Sequence, residues 1–496
     1  MSARSRRTEA APKQHMASDI NWLKVRGDGA SVYFSQNADE QPECEYSKVF
    51  AIAAGTQCNW LKKQTDGEYQ IFTPVELRKQ IEPWLTALFQ SDHLSLLVGS
   101  GITQAIHLLA CHCTAPLINI NIPSYKDAIT QGEKNSAMES GRGDEPNFED
   151  TLRVANEIYS GFKHFMPLES TTTDAKKTIE SLKAEIENAL SSISQTVLQG
   201  EANIATAIDN DREKAFNYLV GFLMSFASRA GTRDRLHVFT TNYDRIIEAG
   251  AEIAGLHLID RFVGSLNPIF RSSRLNLDMH YNPPGIRGEP RYLEGVVRYT
   301  KLHGSLDWVS IGNEIRRLGL PFGSKNVEPY LDAPGLRGAK FHELMIYPNA
   351  AKDQETALFP YVELFRDFAA ATCRPNNTLV TYGYSFGDSH INRIIADMLT
   401  IPSTHLVIIA YSDLGDRIKH FCERLGRWPQ ISVLIGPDLG NIQELVDSYL
   451  PKAAIDRTTI KMSDLLKARY SPEVNVVSAD EAVELTTTGG ENDNLQ

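Results

Sequence analysis

The sequence predicts an α/β fold: a Rossmann-like, doubly wound parallel sheet with a large, mostly helical insertion. Three observations predict it. Short apolar runs alternate with helix patterns in the second half of the chain, as expected for a parallel sheet with helices on both faces. The apolar run Leu94–Val98 leads into Gly99-Ser100-Gly101 and then a helix pattern, the opening unit of a dinucleotide-type fold. Residues 114–230 separate this unit from the later ones and mostly have helical periodicity.

Length and charge exclude several classes of protein. The 496 residues suffice for one large α/β domain with insertions, or for two or three smaller domains. The formal net charge of -12 argues against a dominant nucleic-acid surface, so we expect no direct nucleic-acid partner. The sequence has no apolar run long enough to span a bilayer and no secretory signal at its start. We therefore expect a cytoplasmic protein that does not contact membranes.

The six cysteines do not predict a metal site. They are sparse, no CxxC pair occurs, and a reducing compartment would leave them as thiols. Cys111-His112-Cys113 looks like a ligand cluster, but neighbours on a helix do not share a face, and no second ligand pair lies nearby. We expect no bound zinc.

Composition divides the chain into four predicted segments: a disordered tail (1–17), an N-terminal extension (18–90), the main α/β domain (91–450) with its insertion (114–230), and a C-terminal segment with an acidic tail (451–496). Thr73-Pro74-Val75-Glu76 predicts a helix start in the extension.

Within the insertion, residues 114–146 are rich in Pro, Gly, Ser and Asn and predict a loop. An apolar stripe from Ile179 to Val197 predicts an amphipathic helix, packed either on its own domain or against another subunit.

The later α/β units follow in regular order. Strands are predicted at Leu236–Phe239, Val296–Leu302, Thr378–Thr381, His405–Ala410 and Ile431–Ile435. Helices are predicted at about 245–255, 360–372, 389–399, 417–425 and 441–450, with a polar excursion at 266–295 and a short apolar stretch at Leu344–Tyr347.

Four predicted strands end in unusual polar or glycine-rich residues. The four ends are Gly99-Ser100-Gly101, Asn242-Tyr243-Asp244, His303-Gly304 and Gly383-Tyr384-Ser385. In a parallel sheet these ends lie on one rim, where doubly wound folds bind ligands. Each motif alone also has a structural interpretation: a tight turn, a helix cap at Asn242, or a hydrogen-bonded structural histidine at His303.

In chain order, the motifs resemble the sirtuin family. The matching segments are Val98–Thr103, Thr240–Asp244, Leu302–Ser305 and Gly383–Asp388, and the resemblance extends over about residues 90–440. It is nearest to the bacterial sirtuin-like branch of anti-phage defence, which implies that 91–450 is an NAD-binding catalytic domain. Deacylating sirtuins carry a zinc module with two CxxC pairs, which this sequence lacks. The resemblance therefore implies an NAD hydrolase without zinc rather than a protein deacylase.

The resemblance also implies roles for individual residues. Asn242 would bind the ribose hydroxyls and orient a water molecule, and His303 would act as general base toward a ribose hydroxyl or that water. Asp244 would position the ribose or nicotinamide. The glycine turn would contact the diphosphate through Gly99, Ser100, Gly101, Ile102 and Thr103. The last motif would lie beside the phosphate or adenosine ribose with Gly383 and Ser385. A later strand end would contact the adenosine through Tyr411 and Ser412.

The resulting expectation is an NAD glycohydrolase that releases nicotinamide and linear or cyclic ADP-ribose. Constitutive NAD destruction would kill a host, so we expect a latent, homo-oligomeric effector of abortive infection. The segment after residue 450 is short for an added domain, so we expect the activator to be a separate chain. Family analogy points to a HerA-type ATPase. Two alternatives remain open: an NAD-dependent protein deacylase or ADP-ribosyltransferase, and a non-catalytic NAD or ADP-ribose sensor.

Overall fold

The structure, a computed structural model, describes residues 20–25, 31–37, 48–62, 71–139, 146–165, 173–229, 233–282, 291–337, 339 and 359–452. Its strands are β1 (Asn21–Lys24), β2 (Val32–Gln36), β3 (Phe50–Ile52), β4 (His93–Val98), β5 (Leu236–Thr240), β6 (His257–Ile259), β7 (Phe262–Val263), β8 (Ile269–Phe270), β9 (His280–Tyr281), β10 (Arg291–Tyr292), β11 (Val296–Lys301), β12 (Trp308–Ile311), β13 (Glu314–Arg317), β14 (Asn377–Tyr382), β15 (His405–Ala410) and β16 (Ile431–Ile435).

Helices lie between several of these strands and after β16. They are α1 (Pro74–Phe89), α2 (Ser100–Cys111), α3 (Lys126–Glu139), α4 (Phe148–Phe165), α5 (Thr173–Ala205), α6 (Asp209–Ala227), α7 (Ile246–Ile253), α8 (Glu328–Leu331), α9 (Tyr361–Thr372), α10 (Ser389–Met398), α11 (Arg417–Leu425), α12 (Pro437–Gly440) and α13 (Ile442–Glu444), the last continuing as a π-helical turn at Leu445–Tyr449. In the part of the chain that the structure describes, no helix is long and apolar enough to cross a membrane.

A ten-stranded sheet has the order β3-β2-β1-β16-β15-β14-β4-β5-β11-β6. All neighbours from β16 to β6 pair in parallel. Numbered along the chain, β11-β5-β4-β14-β15-β16 is the doubly wound order 3-2-1-4-5-6, whose direction reverses between β4 and β14. The predicted α/β fold class is therefore confirmed.

The sheet is mixed rather than purely parallel, which corrects the prediction. Strands β1, β2 and β3 of the N-terminal extension join it as an antiparallel meander, with β1 paired to β16. They cover an edge of β16 that would otherwise expose unpaired backbone groups. The predicted helix start is present: the Thr73 hydroxyl accepts a hydrogen bond from the Glu76 amide, and the Glu76 carboxylate accepts one from the Thr73 amide.

Both faces of the parallel sheet are covered. Along β4, Leu96 and Val98 pack into the apolar layer that contains residues of α1, α2 and α6. Leu97, which points to the opposite face, packs into the layer that contains residues of α9, α10 and α11. This double burial explains why the strands are nearly continuous apolar runs in the sequence.

The insertion between α2 and β5 consists mainly of α3, α4, α5 and α6, as predicted. One prediction within it is wrong, because α3 lies inside the predicted loop 114–146. The composition of α3 is polar, but its Ile129 packs in one apolar cluster with Leu152 of α4. The Ser136 hydroxyl of α3 also donates to Asp150 at 2.5 Å. Tertiary contacts thus override a weak local propensity.

The apolar stripe of α5 packs on its own chain. Ile179, Leu182, Ile186 and Ile193 are all buried. Of the two interpretations of this stripe, packing within the domain is the one observed. The predicted tail 1–17, the stretch Leu344–Tyr347 and the acidic region after Tyr470 lie outside the described residues.

Candidate functional site

The four strand-end motifs surround one cavity of about 350 Å³. It opens at the carboxyl ends of β4, β5, β11 and β14, where the winding direction of the sheet reverses. Gly99, Ser100, Thr103, Asn242, Asp244, His303 and Ser385 all line it. The structure therefore brings the predicted catalytic pair together with half of the predicted binding residues.

The glycine turn after β4 packs directly on the turn after β14. The Gly101 amide donates to Gly383 O at 3.0 Å, and the Gly99 amide donates to Tyr382 O at 3.0 Å. A Cβ atom at Gly101 would lie 2.5 Å from the Gly383 Cα. Gly383 itself has a φ of +59°, which favours glycine. These glycines thus let two backbone turns touch, and the Gly101 amide is occupied by that contact.

Asn242 is held by its side-chain amide. Its Nδ2 donates to Gly99 O at 3.0 Å and to the Thr103 hydroxyl at 3.1 Å. Because a carbonyl oxygen can only accept, the NH₂ group must face Gly99, which fixes the orientation of the amide. The Asn242 carbonyl oxygen is then the group that this side chain offers to a ligand hydroxyl or a water proton.

Thr103 connects Asn242 to Asp244. The Thr103 hydroxyl donates to the Asp244 carboxylate at 2.6 Å while it accepts from Asn242. The other Asp244 oxygen accepts from the Ile246 amide at 3.2 Å, at the start of α7. Thr103 is thus a bridge between Asn242 and Asp244. The neighbouring Ile102, predicted to contact the cofactor, has its side chain fully buried in the core under the sheet.

His303 pairs with an acid that the sequence analysis did not assign. Its Nε2 lies 2.8 Å from the Asp388 Oδ2, and both side chains are at least 95% buried. Asp388 ends the Gly383–Asp388 motif, and its Oδ1 caps α10 by accepting from the His390 amide at 3.0 Å. In the sequence, an Asp before a helix is fully explained as a cap, so the pairing had no separate signal.

A second cavity of about 490 Å³ holds the remaining predicted residues. Gly101, Gly383, Tyr411 and Ser412 line it. The two cavities share four lining residues, which belong to the glycine turn, to α2 and to the last motif. They are Ser100, Gln104, Tyr384 and Ser385. The two cavities therefore meet at the N-terminus of α2, where backbone amides favour an anion.

The insertion supplies one wall of the first cavity, which the sequence analysis missed. Pro116, Phe148, Glu149, Val197 and Gly200 all line it. No motif marks these residues, since they reach the cavity only through the packing of the insertion helices.

Two further groups in this wall region are buried. Glu201 of α5 forms an ion pair with Arg245, next to Asp244, at 2.5 Å, and it also accepts from the Arg245 backbone amide at 2.7 Å. His107 of α2 lines the cavity as well, and burial lowers its pKa.

Among the described residues, no group of three or more His, Cys, Asp or Glu side chains is placed to hold a metal ion. In the Cys111-His112-Cys113 segment, the His112 ring pairs with Asp211 at 3.0 Å.

Residues 236–426 match the family model of a SIR2-like domain. The matched range contains Asn242, His303 and Gly383–Asp388, and it leaves out the glycine turn and the insertion. No curated protein matches the chain. A SIR2-like domain implies NAD binding and an NAD-related function, which agrees with the sirtuin resemblance of the motifs.

Proposed function

We propose that this protein is an NAD glycohydrolase that cleaves the nicotinamide–ribose bond to give nicotinamide and ADP-ribose. The observation that carries the proposal is the convergence of Asn242 and His303 with Gly99, Ser100 and Thr103 on one cavity. The match to a SIR2-like domain supports NAD as the ligand.

The cavity offers the groups that this cleavage requires. Nicotinamide leaves as a neutral molecule with the electron pair of the C1′–N bond, and the ribose passes through an oxocarbenium-like state. The Asn242 carbonyl oxygen orients a water molecule, whose oxygen forms the new bond to C1′. His303 accepts the proton of that water and later releases it to solvent, so the products are nicotinamide, ADP-ribose and one proton. The Asp244 carboxylate, across the turn from Asn242, positions the ribose or nicotinamide.

We propose that NAD extends across both cavities. The nicotinamide ribose would lie beside Asn242 and His303 in the first. The diphosphate would lie at the N-terminus of α2, near Ser100 and Ser385, which both cavities share. The adenosine would then reach the second cavity, where Tyr411 and Ser412 lie.

Two observations favour hydrolysis over deacylation. The sequence lacks the two CxxC pairs of the sirtuin zinc module. In addition, Phe148, Glu149 and Val197 of the insertion line the cavity beside the catalytic pair. Hydrolysis uses water as the acceptor of the ADP-ribosyl group, and water, unlike an acyl-lysine peptide, does not need a peptide groove.

The test is product analysis by chromatography after incubation with NAD, with and without an acylated peptide. We expect equal amounts of nicotinamide and ADP-ribose in both samples and no labelled protein. NAD loss that requires the peptide would identify a deacylase, and labelled protein would identify an ADP-ribosyltransferase. Tight binding without turnover under all activating conditions would identify a sensor.

We further propose that the enzyme is a latent, NAD-depleting effector of bacterial anti-phage defence, in the cytoplasm and controlled by homo-oligomerisation and a separate activator chain. A HerA-type ATPase is the proposed activator, by family analogy. Co-expression with the neighbouring gene product should raise NAD turnover in the cell. Turnover that is equally high in its absence would contradict this regulatory model.

A further inference from the structure

We propose that Asp388 is the positioning residue of His303: its carboxylate sets the tautomer and orientation of the imidazole and stabilises the imidazolium formed during NAD cleavage. This inference rests on the proposed function for its catalytic meaning, but the contact itself can be tested without turnover.

The two oxygens of Asp388 have separate partners. Oδ1 accepts from the His390 and Ile391 amides, at 3.0 and 3.4 Å, and so caps α10. Oδ2 lies 2.8 Å from the His303 Nε2. The backbone of the same residue is also held, because the Tyr384 hydroxyl donates to Asp388 O at 3.2 Å. The carboxylate therefore has little freedom to turn away from the imidazole.

Capping alone does not require a charged residue here. Asn, Ser or Thr would cap α10 about equally well with one neutral oxygen. A buried carboxylate is unfavourable unless a partner compensates for its lost hydration. The His303 ring is such a partner, so the pairing explains why an acid rather than an amide occupies this position.

The pairing has a defined chemical consequence. A neutral imidazole that donates its Nε2 proton to a carboxylate carries its lone pair on Nδ1, which is the nitrogen that then accepts a proton. Once that proton arrives, the imidazolium lies against the Asp388 carboxylate in a buried setting, where the attraction is stronger than in water.

Other titratable groups line the same cavity and act on His303 equally in the variants below. They are His107, Glu149, Tyr243, Asp244, Tyr384 and Arg417, together with Glu201, whose charge is paired with Arg245. The ring of Tyr243 lies near that of His303, with 6.4 Å between their centroids.

The decisive variant is Asp388→Asn. It keeps a neutral oxygen for the α10 cap and replaces the oxygen facing His303 by an amide. We expect NAD turnover to fall about 100-fold or more, as when other catalytic histidines lose their carboxylate partner. KM for NAD should stay within about threefold, because the side chain acts on the chemical step. Without the anion, the His303 imidazolium is less stable, so the acidic limb of the kcat–pH profile should move to lower pH.

Thr73→Ala is the matched control. It removes the side-chain cap of α1 outside the cavity, and we expect it to leave kcat and the pH profile unchanged. If Asp388→Asn acted only by weakening the α10 cap, it would lower Tm, as Thr73→Ala should, without moving the pH profile.

NMR of the histidine ring nitrogens measures the contact between His303 and Asp388 directly. The His303 signals are assigned by comparison with His303→Gln. The wild type should show His303 as the Nε2–H tautomer, and Asp388→Asn should shift its titration to lower pH. An unchanged His303 tautomer and titration in Asp388→Asn would overturn the inference, whether or not the protein cleaves NAD. Absence of turnover in the activated wild type, with the NMR result as expected, would instead overturn the proposed function.

Discussion

At the residue scale, the site depends on side chains whose role is set by one or two hydrogen bonds. Asn242 and His303 were identifiable from the sequence because each follows an apolar strand, and parallel strand ends share one rim. Asp388 was not identifiable as a partner of His303, because an Asp at this position is already explained as a helix cap. The Thr103 bridge was not identifiable either, because it depends on a contact with Asn242, 139 residues away in the chain. Local patterns therefore find the predicted catalytic residues more readily than the residues that position them.

Thr103→Val tests the bridge between Asn242 and Asp244. Valine keeps the shape of threonine but neither accepts from Asn242 nor donates to Asp244. We expect a fall in kcat of roughly 10- to 100-fold, since two positioning hydrogen bonds are lost and each is worth about 0.5–1.5 kcal/mol. Steady-state kinetics measure it. Thr206→Val is the control, because the hydroxyl of the exposed Thr206 donates to the Ala202 carbonyl of α5. Equal kinetics in the two variants would show that Thr103 does not position Asn242 or Asp244.

Gly101→Ala tests the contact between the two turns. The added Cβ would lie 2.5 Å from backbone at Gly383, which must shift. We expect the free energy of unfolding to fall by about 1–3 kcal/mol and NAD binding to weaken. Gly161→Ala in α4 is the matched control, because nothing lies within 4 Å of its Cβ position. It should be neutral or slightly stabilising, and a Gly101→Ala protein as stable as this control would contradict the contact.

At the scale of elements, the insertion is part of the site. Its helices α4 and α5 supply cavity residues, and Glu201 of α5 holds the Arg245 that directly follows Asp244. The sequence revealed the α5 helix through its apolar stripe. It could not reveal which face meets the cavity, because that depends on how α3, α4 and α5 pack together, and α3 itself has almost no amphipathic signal.

Glu201→Gln tests this connection between insertion and site. It leaves the buried Arg245 guanidinium without its anion, so we expect the free energy of unfolding to fall by roughly 3 kcal/mol. Thermal and denaturant unfolding measure the loss. Glu187→Gln on the same helix is the control: its pair with Lys183 is 3.7 Å long and solvent-exposed, and its loss should cost at most about 1 kcal/mol. Equal stability of the two variants would refute the connection.

At the scale of the whole molecule, the order of the parallel strands positions the site. The alternating pattern predicted six of the seven described parallel strands, since each of the six is a buried apolar run, and it missed the short edge strand β6. It did not predict that β1, β2 and β3 would join the sheet. These strands are short and irregular in pattern, and β1 pairs with β16, more than 400 residues away. Such a pairing depends on the edge that the folded sheet presents, so the local sequence carries little signal for it.

The central sheet also makes stability depend on pH. His237 in β5 is fully buried beside Thr300, and burial lowers its pKa from 6.5 to about 3. The folded state keeps this ring neutral, whereas the unfolded chain protonates it below about pH 6.5. Its contribution to stability is therefore complete above pH 6.5 and is lost on acidification, by up to about 1.4 kcal/mol per pH unit, until about pH 3.

His237→Gln should therefore flatten the dependence of unfolding free energy on pH between about 6.5 and 4.5. Denaturant unfolding at several pH values measures the slope. His280→Gln is the control, because its exposed ring has similar surroundings in both states and its removal should leave the slope as in the wild type. A His237→Gln protein with the wild-type slope would show that His237 does not carry this dependence.

The most direct test of the central claim is the rate of nicotinamide release from NAD by the activated wild type, Asn242→Ala and His303→Ala, measured by chromatography on folded protein. We predict release by the wild type and a loss of at least about 100-fold in each variant, as expected for groups that act on the reacting atoms. Release at the wild-type rate by both variants would contradict the assignment of this cavity as the site of NAD cleavage.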